Sequence, residues 1–476
     1  MGDGSCRSVW GECIRSRATL SRFPHNLCAS PRRSRWLRLH AGPAWEECGI
    51  CVPPPPKGGS DRGEAVALRY ALQAEARRLL PWHRVAVCLR ARVAGAEAVE
   101  VWHRPATERV PASAGFGSLQ TCGSPWVCPV CSAKIAVERR DELARGVEAW
   151  RKQGGRVFLV TFTTAHHVRM PVATLLPSFL AACRQMKRGA PWQRFKQRQG
   201  LVGSVRGLEV THSFRNGWHV HCHALYFVPA GTDVGTFRAA LFPLWERAAA
   251  AEGLAMDKVH GLDVLAATGV IEEYVTKYGR EPERVPGGWG PEAELAKPHA
   301  KRARWDGDDP AAPGRTPFEL LAASLVGDRV AGALVRDFAR AFHGCSQLQW
   351  SPGLRQALGL PPRDQPDTEV ADTQDAASVL LGRLTPAEWR DILLVEGRAV
   401  VVRAALGGDW EAVQYAVACL RVWATYWRIM GYVPARSLLR EVEDYTPAEI
   451  ARWRLQRRAR VQAGKAARAG PLVAVL

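Results

Sequence analysis

The sequence lacks a continuous apolar segment of about 18–20 residues, the length that a membrane-spanning helix needs. Residues 1–17, MGDGSCRSVWGECIRSR, also lack the apolar core of a secretory signal. The 13 cysteines are odd in number, and without an export signal they do not indicate a disulfide framework. We therefore expect a cytoplasmic protein with no membrane segment, in which some cysteines are free and others hold metal.

Acidic residues are scarce relative to basic ones. The chain has 46 Asp and Glu against 65 Lys and Arg, a formal net charge of +19 and a pI near 9.8. An excess of this size attracts polyanions, and it favours nucleic acid as the partner. A basic enzyme of another class is the alternative.

Strand and helix patterns are mixed along the chain. Runs rich in β-branched and aromatic residues predict strands at 156–164, 203–212 and 218–228. RVAVCLRARV (84–93) and EAVEVWHR (97–104) also alternate like strands, and amphipathic helices are predicted between these segments. Asn216-Gly217 indicates a hairpin. We expect an α+β fold with a central antiparallel β-sheet flanked by helices.

Three of the 13 histidines fall within five residues of one predicted strand, GWHVHCHALYF (217–227). Side chains alternate across a strand, so His219, His221 and His223 share one face. Imidazoles two residues apart can hold one divalent ion. This pattern favours a metal site over a solvated strand face.

Glu209, on the preceding strand, is the candidate third ligand. A three-residue hairpin loop at 215–217 would place Glu209 opposite His223 and on the histidine face. A two-residue loop would turn it away. One carboxylate with two imidazoles suits Mg²⁺ or Mn²⁺, which would polarise a phosphate oxygen.

Tyr274, Lys277 and Tyr278 lie at i, i+3 and i+4 in EEYVTKYG, so they share one face of a predicted helix. A phenol is a competent nucleophile towards a phosphodiester. A nearby ammonium favours the phenolate and offsets charge on the attacked phosphate. The alternative is a core helix with two packed tyrosines.

Cys122, Cys128 and Cys131 lie close together in TCGSPWVCPVCSAKI. Their spacing is that of a zinc site that lacks one ligand. A closed site of four thiolates has no position for a reactant, so we expect a structural role. Buried apolar cysteines are the alternative.

The order of these motifs resembles that of the HUH nickases: a strand like VFLVTFTT, then GWHVHCH, then YVTKY. In detail the chain resembles rolling-circle plasmid replication initiators of actinomycetes, from about Arg84 to Leu360. The shared stretches include CGSPWVCPVCSAKI, GRTPFELL and LQWSPGLRQALGL. The resemblance implies that a tyrosine nicks one strand at a plasmid origin, leaving a 5′-phosphotyrosine and a free 3′-OH that primes synthesis. The strand is rejoined at termination.

The resemblance also implies partners and roles in the bacterial cytoplasm. The partners are origin DNA, single-stranded or cruciform at the nick site, and a host helicase and DNA polymerase. His221 and His223 match the metal-binding pair, His219 matches the histidine that often precedes it, and Glu209 matches the acidic position.

Tyr274 with Lys277 matches the Tyr-x-x-Lys signature of the family. Tyr278 matches a second tyrosine used at termination, but Glu281 replaces the lysine that would follow it. Tyr274 is therefore the expected nucleophile for initiation. For termination Tyr278 is one option, and water activated by Glu273 or Glu281 is another.

The resemblance implies Cys88 as the fourth zinc ligand, and Cys48 with Cys51 is the alternative. The composition and the patterns along the chain divide it into six segments. These are an extension with little order (1–62), an accessory zinc-binding region (63–135), the HUH nickase domain (136–300), its helical extension (301–361), a linker (362–376) and a helical, basic C-terminal region (377–476).

Two other functions fit the same motifs. One is an HUH transposase that uses two tyrosines and also carries an N-terminal cysteine cluster. The other is a zinc-dependent DNA-binding regulator without catalysis, which would bind DNA equally well without Tyr274 and Tyr278.

Overall fold

A computed structural model describes residues 60–107, 112–266, 314–362, 366–373 and 376–429. Two antiparallel sheets flanked by helices form an α+β fold, and the C-terminal part is mainly helical. Both features agree with the expectation from sequence. Within the described ranges, no helix combines the length and apolarity needed to cross a membrane.

The described strands form two sheets, one of three strands and one of five. They are β1 (Val99–Arg104), β2 (Ser113–Gly117), β3 (Gly155–Phe162), β4 (Gly203–Ser213), β5 (Gly217–Pro229), β6 (Leu262–Ala266), β7 (Leu348–Trp350) and β8 (Val379–Leu384).

The described helices surround both sheets. They are α1 (Ser60–Leu79), α2 (Pro129–Lys152), α3 (Val172–Met186), α4 (Gly189–Gln199), α5 (Val234–Ala251), α6 (Pro317–Leu325), α7 (Arg329–Ala341), α8 (Leu354–Ala357), α9 (Asp367–Asp372), α10 (Pro386–Leu394), α11 (Arg398–Ala405) and α12 (Trp410–Ile429).

The larger sheet has the strand order β6-β3-β5-β4-β7, and every neighbouring pair is antiparallel. β4 and β5 form a hairpin with a three-residue loop, 214–216. The loop ends at Gly217, whose φ of +78° belongs to the left-handed region that favours glycine. A Cβ here would also lie 2.7 Å from the Cα atom of Val168. Both the backbone conformation and this close contact therefore favour glycine at position 217.

The two faces of β5 have different surroundings. Cys222, Ala224 and Tyr226 are buried on the face that packs against α3 and α5. On the other face, Leu225 and Phe227 are buried in a second apolar cluster with residues of α2 and α8. The histidines continue this second face towards the hairpin, outside the apolar cluster. The sheet therefore offers a polar surface at one end of an otherwise covered face.

The smaller sheet joins distant parts of the chain, because β1 pairs with β2 on one edge and with β8 on the other. The segment 362–376, predicted as a linker, contains α9, whose Val370 and Ala371 are buried. The predicted domain limits stay predictions. The pairing of β8 nevertheless makes the region after residue 376 part of the same sheet as residues 99–117.

The strand predicted for RVAVCLRARV is wrong. Residues 84–86 form a 3-10 helix, and Leu89 has a φ of +51°. Only Arg92 in this segment makes a β-bridge, to Leu119. The side chain of Cys88 is turned inward here and accepts a hydrogen bond from the Cys122 backbone N–H at 3.3 Å. This inward turn interrupts the alternation that a strand requires.

A buried ion cluster connects the C-terminal helices to the N-terminal region. Glu396 lies 2.7 Å from Arg90 and 3.3 Å from Arg398. Burial opposes the charge of Glu396, but the two guanidinium groups outweigh it and lower the pKa of Glu396 from 4.5 to about 2. The contacts of Glu396 with the two arginines therefore stabilise the fold above pH 4.5, and this stabilisation is lost as the pH falls towards 2.

We predict that Glu396→Gln lowers the free energy of unfolding by about 3 kcal/mol at pH 7, because two buried guanidinium groups lose their counter-charge. The difference in free energy of unfolding between the wild-type protein and Glu396→Gln should shrink steadily between pH 4.5 and pH 2. Urea unfolding of both proteins across this pH range measures it. Glu411→Gln, at an exposed position of α12, is the matched control. A deficit that is independent of pH would contradict the assignment.

Candidate metal centres

The histidine strand is β5, and it lies in the middle of the larger sheet. His219, His221 and His223 point to the same face, and His223 is buried while the other two are partly exposed. The neighbouring strands therefore supply the remaining side chains of this surface. β3 places Thr161 beside His223, and β4 places Glu209 beside His221.

Glu209 lies on the histidine face, but its register differs from the prediction. Of the two loop lengths that the sequence left open, the structure has the three-residue one, but it comprises 214–216 and not 215–217. Ser213 pairs with Gly217, and this shift puts Glu209 opposite His221 and not His223. A shift of two positions along the partner strand keeps the side chain on the same face, because side chains alternate with a period of two.

The donor atoms of Glu209, His221 and His223 converge within 4.8 Å of one another. Glu209 Oε2 is 3.5 Å from His221 Nε2 and 3.3 Å from His223 Nε2. Two ligand atoms bound about 2.1 Å from one ion lie roughly 3.0–3.4 Å apart. The spacing and the chemistry of this donor set therefore fit a divalent cation.

Thr161 orients His223. Its Oγ1 lies 3.0 Å from His223 Nδ1. A proton donated from Nδ1 to this hydroxyl leaves the Nε2 lone pair directed towards Glu209. Groups that bond the second nitrogen of a ligating histidine set its tautomer and its ring orientation. Sequence reasoning missed Thr161, because nothing in a β-branched strand marks one threonine as a partner of a histidine 62 residues away.

His219 lies outside the converging group of three. Its ring stacks on His221 at a centroid distance of 4.6 Å and on His166 at 4.6 Å. Burial, followed by the proximity of His221, lowers the pKa of His219 to about 3, so the ring is neutral at physiological pH. Its Nε2 is buried and has no hydrogen-bond partner among the described residues. His166, in the loop after β3, thus extends the histidine surface.

The predicted nucleophiles and several alternatives fall outside the described residues. Tyr274, Lys277 and Tyr278 belong to this group, as do Glu273 and Glu281. Cys48 and Cys51 also lie outside it.

A second cluster contains four buried cysteines, Cys88, Cys122, Cys128 and Cys131. Sulfur–sulfur distances are 3.7 Å for Cys88–Cys128, 3.5 Å for Cys88–Cys131 and 3.7 Å for Cys122–Cys131. These distances are far too long for disulfides. Four sulfurs at about 2.3 Å from one Zn²⁺ would lie roughly 3.8 Å apart at the corners of a tetrahedron. The cluster therefore has the donors and dimensions of a closed zinc site, with Cys88 as its fourth member.

The surroundings of the cluster favour a thiolate at Cys128. Cys128 caps the N-terminus of α2 and accepts a hydrogen bond from the Cys131 backbone N–H, and Gln73 Nε2 donates to the same sulfur at 3.2 Å. Burial opposes ionisation of Cys128, but hydrogen bonds from the other thiols hold its pKa well below the ordinary value. Hydrogen bonding to Cys122 and its neighbours raises the pKa of Cys88. A bound cation would allow all four thiols to ionise together.

Comparison with known proteins gives two relatives. The chain is 30% identical to "Protein rep" of Streptomyces lividans, over 53% of this chain and 66% of that protein. The chain is similar to a Rep protein. It is also 30% identical to a "Neomycin resistance protein" of Streptomyces cyanogenus, over 26% of this chain and 33% of that protein. In both cases the match covers less than two thirds of the relative's length. No family model and no solved structure matches the chain.

We predict that the purified protein contains about one Zn²⁺ per chain and that Cys88→Ser reduces this content by more than half. Loss of a structural metal should also lower the melting temperature by roughly 5–10 °C, because metal affinity contributes to folding. Elemental analysis and thermal unfolding measure the two effects. Cys345→Ser, at a half-buried cysteine outside the cluster, should keep the zinc. Full zinc content in Cys88→Ser would rule out the four-thiol site.

Proposed function

We propose that this chain is a replication initiator that nicks one strand of a plasmid origin and rejoins it after a round of rolling-circle synthesis. The observation that carries the proposal is the convergence of Glu209, His221 and His223 at the polar end of the central sheet. The similarity to a protein named "Protein rep" supports it. The net charge of +19 suits a polyanionic substrate.

Glu209, His221 and His223 would hold a divalent cation, Mg²⁺ or Mn²⁺, which when bound polarises a nonbridging oxygen of the scissile phosphate. Thr161 would fix the orientation of one ligand. The neutral rings of His219 and His166 would form one wall of the site beside His221.

Tyr274 is the proposed nucleophile. Its phenolate oxygen would form a bond to phosphorus while the bond from phosphorus to the 3′ oxygen of the preceding nucleotide breaks. The leaving oxygen takes up a proton and becomes a free 3′-OH. Lys277 would favour the phenolate over the phenol. Tyr274 follows Ala266, the end of β6, by eight residues, and such a segment spans at most about 27 Å.

The cysteine cluster has a different role in this proposal. Cys128 caps α2 and Cys131 lies in its first turn, while Leu143 and Val147 of the same helix pack against Leu225 of β5 in one apolar cluster. A zinc ion would therefore fix the start of a helix whose later turns cover the sheet. This arrangement supports a structural ion that holds in place the helix covering the sheet.

We predict that the protein relaxes supercoiled plasmid carrying its own gene and flanking DNA in the presence of Mn²⁺, with a covalent protein–5′-DNA adduct. Tyr274→Phe should abolish the adduct, because the phenol oxygen forms the bond to phosphorus. Denaturing gel electrophoresis of labelled DNA measures the adduct. Tyr426→Phe, at an exposed tyrosine of α12, is the matched control and should behave as the wild-type protein.

The other outcomes separate the alternatives. Loss of the adduct only in Tyr278→Phe would keep the mechanism and change the nucleophile. Cleavage at the ends of a mobile element beside the gene, with no cleavage at a plasmid origin, would favour the transposase. DNA binding without any adduct from metal-loaded protein would favour the non-catalytic regulator.

We predict that Thr161→Val weakens Mn²⁺ binding by about tenfold, since loss of the partner of a ligating histidine typically costs 10- to 100-fold in metal affinity. Titration followed by electron paramagnetic resonance measures free Mn²⁺ directly. Thr174→Val makes the same chemical change at an exposed position of α3 and should leave the affinity unchanged. Equal affinities in the two variants would show that Thr161 does not position His223.

A further inference from the structure

One continuous part of the chain contains basic residues without acidic ones. Residues 149–208 contain eleven Lys and Arg and no Asp or Glu, although the chain as a whole has 46 acidic residues among 476. This part includes β3, α3, α4 and the first half of β4. This part of the chain therefore carries eleven positive charges with no acidic side chain of its own to balance them.

Within this part, four exposed arginines lie around α4. Arg184 is in the last turn of α3, Arg188 is the residue that precedes α4, and Arg194 and Arg198 lie on α4 itself. We call these four residues the α4 arginine surface. Among the described residues, none of the four has an ion-pair partner. Several other surface arginines do: Arg340 pairs with its neighbour Asp337, and Arg78 pairs with Glu75.

The inner face of α4 is firmly packed. Trp192 and Phe195 are buried, and the Phe195 ring contacts Phe237 of α5 at a centroid distance of 5.2 Å. Lys187, just before α4, is largely buried and donates from its Nζ to Ser204 Oγ at 3.0 Å. This lysine is part of the scaffold, so α4 presents its outer face from a rigid base.

The outer face of α4 consists of Gln193, Arg194, Gln197 and Arg198, all of which are exposed. At 100° per residue these positions fall on one side of the helix, opposite Trp192 and Phe195. Arginine contacts phosphates and guanine edges in DNA, and glutamine can contact phosphates and adenine edges. The helix has 11 residues and is therefore about 16 Å long, and a helix of ordinary diameter fits the major groove.

We infer that the α4 arginine surface is a docking site for duplex DNA, separate from the site of strand cleavage. The inference rests on the proposed function, because that function makes DNA the partner. What it adds is the surface of the protein that would hold the duplex. Charge complementarity decides the occupant: an arginine surface without neighbouring carboxylates in its own segment matches a phosphate backbone.

The position of this surface relative to the metal centre is set by β4. The chain leaves α4 through Gly200 and enters β4 at Gly203, six residues before Glu209. Six residues of a strand extend about 20 Å, which is roughly the length of six base pairs. α4 packs on α5, on the side of the sheet opposite the histidines, so duplex DNA held by α4 would be contacted on the far side of the sheet from Glu209, His221 and His223.

The test is binding of a fluorescent 30-base-pair duplex, and of one of its single strands, at several salt concentrations. We expect Arg194→Gln/Arg198→Gln to lower duplex affinity at least tenfold at 150 mM salt. The slope of log affinity against log salt should become shallower by about 1.8, because each phosphate contact contributes about 0.9. Arg69→Gln/Arg247→Gln removes the same charge from exposed positions on α1 and α5 and should change neither quantity.

Covalent adduct formation distinguishes this inference from the proposed function. At low salt the Arg194→Gln/Arg198→Gln protein should still form the adduct, because the residues of the metal centre are intact. Duplex binding that depends on Arg194 and Arg198 would uphold the inference even if no adduct forms. Unchanged affinity and salt slope in the double variant would overturn it. A loss confined to the single-stranded probe, or equal losses in the control variant, would also overturn it.

Discussion

The backbone hydrogen bonds on the two edges of β5 are the constraint on which the candidate active site depends. β5 pairs with β3 from Gly155 to Phe162 and with β4 along the whole of β4. This register brings Thr161 and Glu209 beside the histidines. A slip of one residue would turn His221 and His223 towards α3 and α5 and would expose Cys222. Burial of the apolar side chains on the α3 and α5 face resists such a slip, so the hydrophobic core of one face holds the polar site on the other.

The two candidate metal centres differ in the way that structural and catalytic sites differ. The cysteine cluster has four buried donors, so a bound ion would have no open position. The histidine centre has three donors, of which only His221 is partly exposed, so a bound ion would keep coordination positions for water or a phosphate oxygen. α2 connects the two centres, because its first turn belongs to the cysteine cluster and its middle covers the sheet.

The C-terminal helices complete the surroundings of the cysteine cluster. Arg398 is almost fully buried and donates to Gln73 Oε1 at 2.7 Å and to the Leu89 carbonyl at 3.1 Å. Gln73 in turn donates to Cys128. Trp389 donates to the Arg90 carbonyl and packs edge-to-face on Phe116 of β2. A series of hydrogen bonds thus runs from Arg398 of α11 through Gln73 of α1 to the sulfur of Cys128. The buried charge of Arg398 is costly unless each of its partners is present.

The sequence by itself determined which side chains share a face, because the strand period of two is a local property. It placed His219, His221 and His223 together, but it left open whether the hairpin loop has two or three residues and therefore whether Glu209 shares their face. The tertiary structure decided which groups far apart in the sequence come into contact. Thr161 lies 62 residues from His223, and Arg398 lies 325 residues from Gln73. The chain between such partners leaves no periodic signal, and only the packing of sheets and helices brings them into contact.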